Sequence, residues 1–102
     1  MNKTELLKKA INTYGVQAQK DMMIEEMSEL TKAILKERRV TGSFDREIVR
    51  ENIREEMADV QIMLDQMRII YGDCREWHDR KLQRLNDRLD KVGGSCEQVD
   101  QR

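Results

Sequence analysis

Apolar residues recur three or four positions apart through most of this chain, which is the period of an amphipathic helix. Glycines interrupt the pattern at Gly15, at Gly42, at Gly72 and at the Gly93–Gly94 pair. Glycine commonly ends helices because it adopts left-handed backbone conformations at little cost. The pattern therefore predicts four helices, near residues 4–14, 16–39, 45–71 and 73–91. Asp73 and Glu76 have the spacing of a capping box and predict where the fourth helix begins.

The composition favours helix as strongly as the periodicity does. The 102 residues include no proline and only four aromatic residues, and 38% of them are charged. Such a chain is long enough for one modest core. Short connections between long helices favour antiparallel packing. We therefore expect an all-α, four-helix bundle-like domain over residues 1–92, followed by a flexible tail over residues 93–102.

The charge balance excludes several classes of partner. Nineteen basic and twenty acidic residues leave a formal net charge of −1, so no positive field draws in nucleic acid.

The apolar runs are too short to cross a membrane, and the N-terminus lacks the apolar core of a signal peptide. Two cysteines do not form a disulfide framework. These features predict a cytoplasmic protein that binds neither nucleic acid nor membranes.

Two similar acidic phrases stand thirty residues apart. EEMSEL spans residues 25–30 and EEMADV spans residues 55–60, so each predicted long helix carries adjacent glutamates, a methionine, a third carboxylate and an aliphatic residue. Charged runs on a helix usually face solvent, opposite the apolar stripe. The position of these carboxylates around the helix axis therefore decides what they do.

Four carboxylates fall on or beside the apolar faces. Glu26 lies inside the apolar arc of the second helix and Glu29 borders it, whereas Glu56 lies in the middle of the third helix's apolar face and Asp59 marks its margin. Several carboxylates in one interior repel one another and lose solvation, so a positive partner is needed. No lysine or arginine of these helices falls squarely within either arc. A divalent cation would supply the missing charge.

The spacing and the donor atoms suit this interpretation. Residues three apart on a helix lie side by side, so Glu26 with Glu29 and Glu56 with Asp59 form two pairs. Ligation by oxygen alone favours Mg²⁺, or Mn²⁺, over zinc. The alternative is that these carboxylates face solvent or form salt bridges.

The phrases also match a family signature. EEMSE followed after twenty-six residues by EMAD resembles the EExxE…ExxD motif of MazG-like all-α nucleoside triphosphate pyrophosphohydrolases. The resemblance covers most of the chain, from about Tyr14 through the fourth helix. It implies a magnesium-dependent enzyme that hydrolyses an NTP or dNTP to the monophosphate and pyrophosphate.

The resemblance also implies roles for individual residues and an oligomeric state. Glu26, Glu29, Glu56 and Asp59 would hold Mg²⁺, and Glu25 would bind a further metal or activate water. The family implies a homodimer, or a homotetramer built from dimers, with active sites near subunit contacts.

Three further residues are candidates for binding substrate. Gln19 lies on the inward arc seven residues before Glu26, where it would hydrogen-bond a base or sugar, or instead satisfy a helix terminus. Lys81 and Arg84 are neighbours on the fourth helix, and the resemblance suggests that they clamp phosphates. The alternative for this pair is a solvated stripe shared with Asp79 and Asp87.

Two other functions stay open at this point. The first is a dimeric all-α dUTPase-like or dCTPase-like enzyme, which uses the same metal chemistry with a narrow choice of base. The second is a helical interaction module that hydrolyses nothing. The position of Glu56 in the middle of an apolar face, matched by the acidic pair on the other helix, argues against the module.

Overall fold

The computed structural model describes residues 1–93 and contains four α-helices in that range. They are α1 (Lys3–Tyr14), α2 (Val16–Glu37), α3 (Ser43–Tyr71) and α4 (Arg75–Val92). The all-helical prediction is confirmed, and each helix boundary lies within two residues of its predicted position. The flexible tail was predicted for residues 93–102, and residues 94–102 lie outside the described part.

Contacts divide the chain into two units, one spanning residues 1–72 and the other beginning at Asp73. The first unit consists of α1, α2 and α3, and the second contains α4. The predicted four-helix arrangement, which requires α4 to pack with the other three helices, stays a prediction.

The first unit is built on an extensive contact between α2 and α3, with α1 packed on both helices. Its buried apolar residues come from all three helices: Leu7, Ile11, Ala33, Val49 and Met63. Each of the three helices therefore contributes to the apolar core, as the amphipathic periodicity predicts.

Local interactions fix the two ends of α1. Asn2 and Glu5 form a capping box, in which the Asn2 side chain accepts a hydrogen bond from the Glu5 amide at 2.8 Å and the Glu5 carboxylate accepts one from the Asn2 amide at 3.2 Å. At the other end, Gly15 has φ +98°, a conformation that favours glycine, and α2 begins at the next residue. The chain therefore turns from α1 into α2 at a single residue.

Two side-chain contacts define the antiparallel register of α2 and α3. Gln19 donates a hydrogen bond to Gln66 at 2.7 Å, and Arg50 pairs with Glu37 at 2.7 Å. From the Gln19–Gln66 pair onward, residues later in α2 therefore lie opposite residues earlier in α3. This register determines which acidic residues face each other.

In the second unit, the predicted start of α4 is wrong by two residues. The N-cap is Cys74, whose side chain makes no capping hydrogen bond. Asp73 instead accepts a hydrogen bond from the Arg75 amide at 3.0 Å and pairs with the Arg75 guanidinium at 2.6 Å. Because the Asp73 carboxylate binds the amide and the guanidinium of Arg75, the predicted capping box between Asp73 and Glu76 does not form. Every residue of α4 is exposed.

Candidate metal centre

Three of the predicted ligands converge between α2 and α3. Glu26, Glu56 and Asp59 are each half-buried, and each places a carboxylate oxygen within 4.8 Å of the oxygens of the other two. Two ligands of the same Mg²⁺ lie at most about 4.2 Å apart, since each metal–oxygen bond is about 2.1 Å. Small side-chain rotations therefore suffice to bring these oxygens onto one ion.

The helix register explains this convergence. Glu26 lies seven residues after Gln19, and Asp59 lies seven residues before Gln66. In an antiparallel pair, the hydrogen bond between the two glutamines therefore places Glu26 opposite Asp59, two helical turns away. Glu56 lies one turn before Asp59 in α3, on the same face of the helix.

The cluster raises the pKa of two of its members. Burial is the main cause of the raised pKa of Glu26, and the charges of Asp59 and Glu56 add to it. Burial is again the main cause for Glu56, whose pKa is also raised by the charges of Asp59 and Glu29. Both carboxylates are therefore destabilised in their ionised form, which a bound cation would reverse.

One oxygen of the cluster is left without a partner. The Oε1 atom of Glu56 is buried, and among the described residues nothing donates a hydrogen bond to it. Buried polar atoms without a partner are uncommon in folded proteins, and a bound ion can supply the contact that such an atom lacks. The orphaned oxygen and the all-carboxylate donor set both fit a hard divalent cation such as Mg²⁺ or Mn²⁺.

The other two acidic candidates lie outside this group of three. Glu29 is exposed and approaches Lys32 at 3.7 Å, but it is close enough for its charge to raise the pKa of both Glu26 and Glu56. Glu25 is also exposed, and its charge raises the pKa of Glu26. Both residues therefore lie around the cluster, and their predicted roles stay predictions.

Gln19 stands in the first turn of α2, and its side chain hydrogen-bonds Gln66 of α3 rather than a backbone group at the helix terminus. Its side chain is 7% exposed, that of Gln66 is 3% exposed, and the two amides are hydrogen-bonded. Sequence reasoning missed Gln66. The signal was available, because Gln66 stands seven residues after Asp59 as Gln19 stands seven before Glu26.

The predicted phosphate clamps lie on α4. Lys81 and Arg84 are both exposed, and Lys81 borders a shallow groove that also includes Trp77 and Leu85. Both residues belong to the second unit, so their relation to the carboxylate cluster stays a prediction.

Comparisons with protein-family models, with curated proteins and with solved structures found no match to this chain. Within residues 1–93, none of the helices combines the length and the apolar character needed to cross a bilayer.

Proposed function

We propose that this protein is a magnesium-dependent nucleoside triphosphate pyrophosphohydrolase of the MazG-like, all-α type. The convergence of Glu26, Glu56 and Asp59 between two antiparallel helices carries the proposal, because it brings together residues from both halves of the EExxE…ExxD motif. The orphaned Glu56 oxygen supports the same interpretation. We also propose that the protein acts as a homodimer or homotetramer.

Each acidic residue has a part in this proposal. Glu26, Glu56 and Asp59 would hold the cation, and Glu29 would complete the ligand set by turning away from its exposed contact with Lys32. When bound, Mg²⁺ neutralises the triphosphate oxygens and the charge that develops on the leaving pyrophosphate. Glu25 accepts a proton from the water that attacks the α-phosphorus. The resemblance gives Lys81 and Arg84 the role of contacting phosphate oxygens, and that role stays a prediction.

The proposal is tested by measuring product formation from a panel of NTPs and dNTPs with Mg²⁺. We expect pyrophosphate and the nucleoside monophosphate, in equal amounts, from at least one substrate. Release of inorganic phosphate instead, or of no product across the panel, would contradict the proposal.

Substitutions at two adjacent glutamates test whether activity depends on the carboxylate cluster or on any acidic residue nearby. Glu56→Gln should lower the rate at least about 100-fold, since even the outer partners of metal ligands cost 10–100-fold when they are removed. Glu55→Gln makes the same chemical change one residue away, at an exposed position, and should retain the parental rate within about threefold. Equal rates for the two variants would exclude Glu56 from the site.

Metal binding is measured separately from activity. Mg²⁺ or Mn²⁺ should raise the melting temperature of the parent and of Glu55→Gln, because a ligand that binds only the folded state stabilises it. Glu56→Gln should show a much smaller shift, and EDTA should reverse the shift in every case.

A further inference from the structure

A surface cleft lies at the corner between α1 and α2, on the same face of α2 as the carboxylate cluster. It has a volume of about 340 Å³ and is lined by Tyr14, Ala18, Gln19 and Met22. Gln19, Met22 and Glu26 stand at intervals of three and four residues, so they share one stripe along α2. The cleft therefore lies on the side of α2 that also carries Glu26.

The lining of the cleft is typical of a small-molecule site, in which apolar walls surround a few fixed polar groups. Met22 and Ala18 supply apolar surface, and Tyr14, which is 68% exposed, lies at the edge. Gln19 supplies an amide that is more than nine-tenths buried and is held by its hydrogen bond to Gln66. That single hydrogen bond leaves part of the donor and acceptor capacity of the Gln19 amide for a ligand in the cleft.

The distance along α2 identifies the kind of ligand. Gln19 and Glu26 are seven residues apart, which corresponds to about 10 Å along the helix axis. This separation is comparable with the length of a nucleoside measured from its base to its 5′ oxygen. A nucleoside triphosphate whose α-phosphate lies at the carboxylate cluster would therefore reach the cleft with its base.

We propose that this cleft binds the nucleoside part of the substrate, with the Gln19 amide, held by Gln66, hydrogen-bonding the base and Tyr14 stacking on it. This assignment rests on the proposed function, because it takes the carboxylate cluster as the phosphate end of the site. It adds Tyr14 and Met22 to the substrate-contacting residues, gives Gln66 the role of positioning the Gln19 amide, and places base selection inside the first unit.

Binding without catalysis provides the first test. The probes are dAMP, dGMP, dCMP and dTMP, added to ¹⁵N-labelled Glu56→Gln protein in EDTA, and inorganic pyrophosphate serves as the comparison. We expect at least one monophosphate to shift the side-chain amide signals of Gln19 and Gln66, and pyrophosphate to leave them unchanged. Shifts confined to α4, or no shift with any monophosphate, would overturn the cleft assignment.

Substitutions at Tyr14 and at the amide pair provide the second test. Tyr14→Ala should weaken monophosphate binding about tenfold, the usual effect of losing an aromatic stacking partner, while Tyr14→Phe should retain it. The double variant Gln19→Met/Gln66→Met removes both amides together, so it leaves no buried polar group unpaired and should fold. It should raise KM with little change in kcat and remove the preference between bases.

A control for the amide pair lies on the same helix. Gln17 is exposed and donates its hydrogen bond to Asp21, so Gln17→Met should leave KM and base preference unchanged.

The proposed function and the cleft assignment fail in different ways. A parent that releases pyrophosphate, but whose double methionine variant keeps its KM and base preference, refutes the cleft assignment alone. A parent that hydrolyses no triphosphate refutes the proposed function, and the cleft assignment falls with it.

Discussion

At the scale of single residues, Glu56 and Asp65 show how position determines the behaviour of a carboxylate on one helix. The pKa of Glu56 is raised because its side chain is partly buried beside other acids. The pKa of Asp65 is lowered, mainly because Lys3 binds its carboxylate at 2.6 Å, with contributions from Gln61 and Arg68. The two residues therefore contribute to stability with opposite dependence on pH.

The direction in which each group changes the free energy of unfolding with pH follows from proton binding. A raised pKa means that the folded state holds the proton more tightly, so the free energy of unfolding falls as the pH rises from the ordinary carboxylate pKa through the raised one. For Asp65 the lowered pKa gives a stabilising contribution above the ordinary value, which is lost as the pH falls through the lowered pKa.

We predict that Glu56→Gln stabilises the metal-free protein more at about pH 8 than at about pH 5. At the higher pH the parent carries an ionised, partly buried carboxylate, which the neutral amide replaces. Urea unfolding in EDTA at both values measures the difference. A variant that is less stable than the parent at the higher pH would show that the Glu56 charge is already compensated within the protein.

Gly15 illustrates a backbone constraint at the same scale. Its φ of +98° is strained for any residue with a Cβ atom, although a Cβ there would meet no atom within 4 Å. We predict that Gly15→Ala lowers the free energy of unfolding by about 1–2 kcal/mol.

The matched control for this substitution is Gly42→Ala, measured in the same urea titration. Gly42 has φ −87°, and its added Cβ would meet only the Asp45 carboxylate at 3.8 Å, an ordinary contact. It should remain within about 1 kcal/mol of the parent. Equal effects of the two substitutions would mean that backbone conformation does not explain the result at Gly15.

At the scale of elements, the α2–α3 pair positions the whole cluster. The pair is held by buried apolar side chains, by the glutamine pair near one end and by the Glu37–Arg50 ion pair near the other. An exposed ion pair adds little to stability, so the apolar contacts provide most of it. Changes in those contacts should therefore affect folding and the site together.

Met63 is the clearest case, because it is 6% exposed and lies one turn from Asp59 on α3. We predict that Met63→Ala lowers the free energy of unfolding by about 2–3 kcal/mol, through lost burial and the cavity left behind. Met57→Ala, at a position that is 55% exposed, should change it by no more than about 0.5 kcal/mol. Denaturant unfolding of both variants measures the contrast.

The helices were predictable from the sequence because glycine and periodicity act locally. The inward positions of Glu26, Glu56 and Asp59 were also predictable, since a helical wheel needs only the sequence. Glu29, which borders the apolar arc of α2, is exposed. Gln19 was a candidate, but its partner Gln66 was missed, because its spacing from Asp59 identifies a pair only when the register of α2 against α3 is considered as well. The start of α4 was missed because Asp73 pairs with Arg75, a competing contact that the capping pattern does not reveal.

At the scale of the whole molecule, much apolar surface remains in contact with solvent. The described residues include no side chain that is fully buried, and α4 exposes a stripe formed by Leu82, Leu85, Leu89 and Val92. A helix of 18 residues is only marginally stable unless its apolar face is covered. This surface supports the proposed oligomer.

We predict that the parent sediments as a species heavier than its monomer mass of 12.1 kDa, and that Leu85→Glu reduces the fraction of that species. The reason is that a charge placed on the apolar stripe loses solvation when the stripe is covered. Gln83→Glu adds the same charge on the opposite face of α4 and should sediment as the parent does. A monomeric parent would contradict the oligomer outright.

The orphaned oxygen of Glu56 also makes the cluster observable by vibrational spectroscopy. The carbonyl of a protonated carboxyl group absorbs in the infrared at a frequency that rises when no hydrogen bond reaches it. Among the described residues no hydrogen bond reaches Oε1 of Glu56. The raised pKa of the residue also extends to higher pH the range over which the proton stays bound. Isotope-edited difference spectra between the parent and Glu56→Gln would therefore report the protonation of one side chain, and its loss on adding a cation, with no nucleotide present.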